Sequence, residues 1–89
     1  MIKLIRATAV HDRVLRLEFS DGTSGDYDVA PLITRETSLT RALVDDVYFV
    51  RFFLELGALA WPNGFELAPG ALHRQLKDRG ALTPRAHVA

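Results

Sequence analysis

The sequence predicts an α+β fold, with one small antiparallel sheet of about five strands and two to three short helices. Three observations indicate this fold. Apolar and charged residues alternate in the first part of the chain, as they do in half-buried strands. Asx-Gly dipeptides, which favour tight turns, separate such segments and indicate hairpins. Leucines at helical spacing follow a proline that suits a first helical turn.

The first three strands are predicted to form a meander. Residues 2–10 are rich in aliphatic and β-branched side chains, and a polar break separates them from residues 14–19. In "VLRLEF" the apolar side chains alternate with arginine and glutamate, which is typical of a strand with one buried face. We predict a two-residue turn at Asp21-Gly22 with positive φ at both residues, followed by a third strand over residues 24–27.

Caps and prolines predict the helices. The Asp28 carboxylate can cap a short helix over "VAPLI", in which Pro31 falls in the first turn. Ser38 is the expected cap of a second helix over "LTRALVDD", where apolar residues recur at helical spacing. Pro69 opens the last helix, and Gly80 ends it.

The segment "VYFVRFFLEL" is predicted as a strand because it is aromatic and β-branched, with "ALAW" as its hairpin partner. A strand would place Phe49 and Phe53 on one face and Val50, Phe52 and Leu54 on the other. Apolar residues on both faces require cover on both faces. Either the segment is partly helical, or another chain covers it, and the sequence leaves both alternatives open.

We predict a single domain over residues 1–77 and a C-terminal tail over residues 78–89. The tail has a turn-like composition without periodicity, so we expect a neighbouring molecule to be needed to order it. The chain has 89 residues and no cysteine, so neither a disulfide nor a cysteine-ligated metal can stabilise the small core. Self-association is the remaining source of added stability.

Composition argues against several functional classes. Eleven basic and eleven acidic residues cancel, whereas nucleic-acid binders usually carry a basic excess. The N-terminus reads as a strand and not as a signal peptide, and no apolar run is long enough to span a membrane. We therefore expect a cytoplasmic protein. A local basic cluster near the C-terminus consists of Arg74, Lys77, Arg79 and Arg85. The simplest interpretation of this cluster is a solvated helix face, and the alternative is contact with phosphate groups.

The titratable residues suggest no strong site. Asp21, Asp26 and Asp28 invite a metal hypothesis, but their spacing does not fit a calcium-binding loop, and turn and cap roles account for two of them. The histidines do not show metal-ligand spacing, and His73 would need a nearby carboxylate or nucleophile to act. The other two histidines are His11 and His87. We predict no cofactor, no metal site and no catalytic residue.

The stretch Trp61-Pro62-Asn63-Gly64 is predicted to be the corner of a hairpin, because Asn and Gly both accept left-handed backbone conformations. Trp61 would then close one end of the core. The alternative is a surface tryptophan that serves as a stacking platform, which a single aromatic residue supports only weakly.

Three segments, "LEFSDGTSGDYDVAPLI", "DVYFVRF" and "GALAWPNGFELAPGAL", together resemble the small bacterial domain-of-unknown-function 2442 family over about residues 3–76. The resemblance rests mainly on the ordered pair of Asp21-Gly22 and the Trp61-Pro62-Asn63-Gly64 stretch. It implies a compact α+β domain, and it carries over no catalytic or cofactor residues because the family has no established activity.

The resemblance also implies a role in regulation or partner binding. Some similar proteins continue into a helix-turn-helix domain, and others are encoded beside a short protein of the domain-of-unknown-function 4160 family, in pairs that look like toxin and antitoxin. The present sequence leaves no room for a DNA-binding domain, so we expect no inherited DNA-binding role. This sequence has Glu66 where similar sequences usually have an aspartate, and Gly70 where they usually have an acidic residue.

These observations predict a non-enzymatic protein-interaction domain, the antitoxin-like or regulatory member of a bacterial gene pair. Its partner would be another protein or a second copy, which makes a homo-oligomer an expected form. Aromatic anchors dominate interface energetics, and the predicted partner-binding residues are Tyr48, Phe49, Phe52 and Phe53. The alternative is a small-molecule-binding or metal-binding domain, or an enzyme, that uses the carboxylates of Asp21, Asp26 and Asp28.

Overall fold

The computed structural model describes residues 1–84, and the predictions for Arg85 and His87 lie outside the described residues. The α+β class is confirmed, but the strands form two antiparallel sheets of four and three strands instead of one sheet of five. In chain order the elements are β1 (Leu4–His11), β2 (Val14–Phe19), β3 (Thr23–Asp28), α1 (Ala30–Ile33), a 3-10 helix (Thr40–Val44), α2 (Asp46–Phe49), β4 (Phe53–Glu55), β5 (Ala58–Ala60), β6 (Glu66–Leu67), α3 (Pro69–Asp78) and β7 (Thr83–Pro84).

The predicted meander forms most of the four-stranded sheet, whose order is β1-β2-β3-β7. Alternation along β2 buries Leu15, Leu17 and Phe19 completely. The opposite face is polar, and Arg16 there donates to Asp26 across the β2–β3 pair, with an N–O distance of 2.9 Å. Because one face of the sheet is buried and the other is solvated, apolar and polar residues alternate in the sequence of β2.

The loop between β2 and β3 differs from the prediction. It has three residues instead of two, and positive φ occurs at Gly22 (87°) but not at Asp21. Gly22 donates its N–H to the Phe19 carbonyl at 3.1 Å. The Asp21 carboxylate accepts from both the backbone N–H of Thr23 at 3.1 Å and its hydroxyl at 2.6 Å. The aspartate therefore closes the turn through its side chain and needs no left-handed backbone.

The Trp61-Pro62-Asn63-Gly64 stretch is a hairpin corner, as predicted, because it joins β5 to β6, which pair antiparallel. Its construction repeats that of the β2–β3 loop. Gly64 has φ 93° and donates to the Trp61 carbonyl at 3.0 Å, and the Asn63 side chain accepts from the Phe65 N–H at 3.1 Å. Asn63 itself has no positive φ, so the prediction was wrong in that detail.

The predicted strand over "VYFVRFFLEL" is wrong in its first half, which forms α2 before the chain extends into β4. The cause is Asp45, whose carboxylate accepts the N–H of Val47 at 3.1 Å and caps the helix. A local cap of this kind outweighs the weak β preference of the following residues. The partly helical alternative therefore accounts for apolar residues on apparently opposite faces.

The first and last helices are confirmed, whereas the second differs from its prediction. Asp28 accepts the N–H of Ala30 at 2.9 Å at the start of α1, as predicted. Ser38, however, does not cap the next helix, because the Thr37 hydroxyl accepts the N–H of Thr40 at 3.2 Å. That helix is also shorter than predicted and of the 3-10 type.

The first part of the predicted tail belongs to the fold. Ala81 and Leu82 pack against the core, and residues 83–84 form β7 beside β3. Gly25 permits this approach, because a Cβ at that position would lie 2.7 Å from the Ala81 carbonyl oxygen. Contacts within the chain therefore order residues 79–84, and the expectation that a neighbouring molecule would be needed is wrong for this part.

One core joins the two sheets and α3. Leu72 and Leu76 of α3 are buried against the meander, and the Tyr27 hydroxyl donates to Gln75 on the same helix at 3.0 Å. The backbone N–H of Leu4 donates to the Gly57 carbonyl at 2.9 Å and ties β1 to the β4–β5 turn. Within residues 1–84 no helix is long and apolar enough to cross a membrane.

Candidate interaction surface

An aromatic cluster centred on Trp61 holds α2 against the three-stranded sheet. The indole N–H of Trp61 donates to the Phe49 carbonyl at 2.8 Å, and the indole ring lies 5.9 Å from the ring of Phe49. The rings of Phe52 and Phe65 lie 6.4 and 5.6 Å from it. Because Trp61 is only 1% exposed, it anchors the core, as predicted, and offers no stacking platform.

Arg13 fixes the corner between the 3-10 helix and α2, a role that the sequence analysis missed. Its guanidinium donates to the carbonyls of Leu43 (2.9 Å) and Val44 (2.6 Å) and to the carboxylate of Asp46 (2.7 Å). The same group lies over the Phe49 ring, 4.9 Å from its centroid. One side chain thus satisfies carbonyls at a helix end that would otherwise lack donors.

Most of the aromatic residues predicted to bind a partner are packed inside the domain. Phe49 is buried, and Phe52 is half-buried against Trp61. Tyr48 is half-buried, and its hydroxyl accepts the backbone N–H of Asn63 at 2.8 Å. Phe53, at 42% exposure, presents the largest free surface of the four predicted residues. A partner that approaches this segment would therefore meet Phe53 before the others.

The structure brings Asp21 and His73 together, although 52 positions separate them in the sequence. The His73 Nε2 lies 2.9 Å from an Asp21 carboxylate oxygen, and the imidazole packs edge-on against Phe19. The hydrogen bond from the Thr23 side chain, more than the bond to His73, holds the pKa of Asp21 below its ordinary value. The pair connects the β2–β3 loop to α3.

Replacing Asp21 by asparagine should remove a pH-dependent part of the stability. The folded pKa of Asp21 is lowered, so its contribution is present above the unfolded value of about 3.9 and is lost as pH falls through the folded pKa. Urea unfolding between neutral and acidic pH should show wild type more stable than Asp21→Asn at pH 7, with the two converging in acid.

Asp78→Asn makes the same chemical change at an exposed residue of α3 and is the matched control for the substitution itself. A difference between wild type and Asp21→Asn that stays constant from neutral to acidic pH would contradict the assignment, because a shifted titration must produce a slope.

The three carboxylates of the alternative hypothesis have separate partners. Asp21 bonds to Thr23 and His73, as described, whereas Asp26 faces Arg16 at 2.9 and 3.3 Å. Asp28 caps α1. Across residues 1–84, no group of three or more histidine, cysteine, aspartate or glutamate side chains is placed to hold a metal ion.

The loops closed by the Asp21 and Asn63 side chains, together with the core of the domain, lie inside a region that matches one known family. The family described as a protein of unknown function, DUF2442, matches residues 4–78. The chain belongs to the DUF2442 family. No curated protein matches it, and no solved structure does so either. The DUF2442 match covers the structure from β1 to the last residue of α3 and stops before β7.

Within this DUF2442 domain, large apolar residues are exposed at every third position of one segment. Their exposure ranges from 42% for Phe53 to 93% for Leu56. We call them the apolar row: Val44, Val47, Val50, Phe53 and Leu56. The three-residue spacing is visible in the sequence, but it does not trace one face of a single element, because Val44 lies in the 3-10 helix, Val47 in α2 and Phe53 in β4.

The remaining predicted positions of the DUF2442 domain lie on other surfaces. Glu66 is exposed on β6, and Gly70 lies in the first turn of α3. Arg74 and Lys77 are exposed along the same helix, and the structure shows no ion pair for either one among residues 1–84. His11 is exposed beside Asp12, with Nδ1 3.2 Å from the carboxylate.

Proposed function

We propose that the chain is a non-enzymatic protein-interaction domain of the cytoplasm, acting as the antitoxin-like or regulatory member of a bacterial gene pair. The observation that carries this proposal is the apolar row. Contiguous exposed apolar surface is uncommon on monomeric proteins and is typical of interaction sites. Five large apolar side chains are exposed within residues 44–56, which gives this segment the composition of such a site.

The valines of the row sit on a rigid support. Arg13 holds the carbonyl of Val44 and the side chain of Asp46, and the Asp45 cap fixes the first turn of α2 at Val47. A preformed surface loses little conformational entropy when it binds. In the proposed complex the partner covers Val47, Val50 and Phe53, and the aromatic ring serves as the main anchor.

The gene-pair role rests on the resemblance alone, in which some similar proteins are encoded beside a second short protein. The partner expected on this basis is a small protein from a neighbouring gene. Val47, Val50 and Phe53 of the apolar row would then be covered in the cell by that protein, in the manner of other interfaces with an apolar centre.

The test is capture of the partner by the tagged protein from its native host, with a moderate-salt wash and mass spectrometry. Wild type should retain one small protein in stoichiometric amount, encoded by an adjacent gene. Val47→Glu/Val50→Glu should lose it, because two carboxylates would be buried without partners. Both valines are exposed, so circular dichroism and the unfolding midpoint should stay unchanged.

Val10→Glu is the matched control, since Val10 is an exposed valine outside the apolar row. This variant should retain the partner. Return of the bait alone from wild type would refute the proposal, as would full retention by Val47→Glu/Val50→Glu.

The carboxylate alternative makes a different prediction. Any divalent cation or metabolite that binds at Asp21, Asp26 or Asp28 should raise the unfolding midpoint. At a ligand concentration one hundred times the dissociation constant, the added stability is about 2.7 kcal/mol. A thermal-shift screen without any response would remove that alternative.

A further inference from the structure

Leu56 combines a strained backbone with an exposed side chain. It shares the β4–β5 turn with Gly57, and both residues have positive φ, at 52° and 84°. Turns of this kind favour Asn, Asp or Gly, because a side chain with a Cβ is sterically strained there. Leu56 is also 93% exposed and gains almost nothing from burial. A strained residue with no folding role is a candidate for function.

An apolar cavity of about 530 Å³ opens between the first residues of the chain and α3. Its wall includes Ile2, Pro69 and Gly70, and its rim includes His73, Arg74 and Lys77. A Cβ at residue 70 would find no atom within 4 Å, so the glycine leaves this part of the cavity empty. The cavity combines an apolar interior with cationic side chains and has no acidic residue in its lining.

The β4–β5 turn and the cavity are linked through the first residues of the chain. Leu4 donates its N–H to the Gly57 carbonyl at 2.9 Å, and a Cβ at residue 57 would fall 2.7 Å from the Cβ of Lys3. Ile2, the next residue, lines the cavity. Two peptide units separate Ile2 from Leu4, a distance of at most about 8 Å.

Charge distinguishes the two features. Glu55 precedes Leu56 at the tip and is exposed, without an ion pair in the described part of the chain. Arg74 and Lys77 at the cavity rim are exposed cations that also lack a partner there. A glutamate followed by a protruding leucine complements an apolar cavity with a cationic rim.

We propose that the occupant of this cavity is Leu56 of a second copy of the chain, with Glu55 facing Arg74 and Lys77. Every copy carries both the protruding residue and the cavity, so a two-fold axis lets each copy fill the cavity of the other. Such reciprocal contacts close into a dimer instead of a filament. This inference goes beyond the proposed function and leaves the valines of the apolar row free for a different protein.

The oligomeric state in sedimentation velocity, measured over a series of protein concentrations, tests the inference. Wild type should have twice the mass of the 9.9 kDa chain. Leu56→Asn should weaken dimerisation by on the order of a hundredfold, because both leucine contacts are lost. At protein concentrations low enough for wild type to be monomeric, the same variant should unfold at a higher temperature than wild type, since asparagine suits the turn.

Two further changes probe the cavity. Gly70→Leu fills the empty space within a helix that tolerates the residue, and it should yield a folded monomer. Glu55→Arg should dissociate the dimer by repulsion from Arg74 and Lys77. Adding Arg74→Glu and Lys77→Glu to the same chain should restore dimerisation, which a general loss of stability would not do.

Leu39→Asn, at an exposed leucine elsewhere, should leave the dimer intact. A monomeric wild type, a dimer that persists in Leu56→Asn, or open-ended assembly with rising concentration would each overturn the inference. None of these results depends on the adjacent-gene partner, whose capture is sensitive to Val47→Glu/Val50→Glu. The proposed function and the dimer can therefore fail separately.

Discussion

Trp61→Ala should leave the domain largely unfolded at room temperature. Removal of a buried tryptophan destabilises a domain by about 3–5 kcal/mol, and the total stability of so small a core is about 5 kcal/mol. Trp61 contacts three aromatic rings and donates to the Phe49 carbonyl. The measurement is near-ultraviolet circular dichroism together with urea unfolding, which should show a lost aromatic signal and a transition near zero urea.

Trp61→Phe separates packing from hydrogen bonding. A phenyl ring retains much of the aromatic contact but cannot donate, so the buried Phe49 carbonyl loses its partner. An unsatisfied buried acceptor costs about 1–3 kcal/mol, and this variant should remain folded with an intermediate urea midpoint. A native urea midpoint for Trp61→Ala would show that the aromatic cluster does not hold α2 in place.

Arg13→Ala should destabilise the domain by about 2–3 kcal/mol, the sum of several hydrogen bonds and a cation–π contact. The carbonyls of Leu43 and Val44 and the carboxylate of Asp46 would lose their common donor. Urea unfolding should measure the loss, and amide hydrogen exchange should locate it in the 3-10 helix and α2.

Arg13→Lys is the informative control, because an ammonium retains the charge but cannot reproduce the planar fork of a guanidinium. It should recover less than half of the lost stability. Recovery to the native value would mean that charge alone matters at this corner. Either substitution should also weaken partner capture, since the valines of the apolar row depend on this corner for their position.

Local signals made the meander predictable. The apolar side chains Leu15, Leu17 and Phe19 alternate with charged ones along β2, and Asp21-Gly22 follows at the end of that strand. The division into two sheets was not predictable in this way. Two of the strands, β6 and β7, contain only two residues each, which is too short for any periodicity to register.

The aromatic segment shows how one capping residue redirects an interpretation. Read with a period of two, the segment exposes Phe49 and Phe52 on opposite faces. The Asp45 cap turns it into a helix, which points Phe49 inward and exposes Val47 and Val50. The number of apolar residues correctly indicated that the segment packs against the core. Which of them point inward depended on whether the helix cap or the strand propensity of the segment prevailed.

Contacts between distant parts of the chain account for what the sequence could not reveal about the candidate sites. Arg13 lies in a turn and looks like a solvated residue, yet it bonds to carbonyls 30 and 31 positions away. His73 meets Asp21 only because α3 packs beside the β2–β3 loop. No single-sequence pattern encodes such pairs, because each partner has an ordinary local context.

The Asn63-Gly64 corner also bears on the chemical ageing of the protein. Asn-Gly sequences deamidate when the glycine nitrogen attacks the asparagine side-chain carbonyl carbon, and asparagine is a thermolabile residue for this reason. Here the Gly64 N–H is bonded to the Trp61 carbonyl. The Asn63 side chain donates to the Leu39 carbonyl at 2.9 Å and accepts from Phe65 at 3.1 Å. In the folded corner, hydrogen bonds hold both the Gly64 nitrogen and the Asn63 side chain. The bonds that shape the hairpin should therefore also slow deamidation.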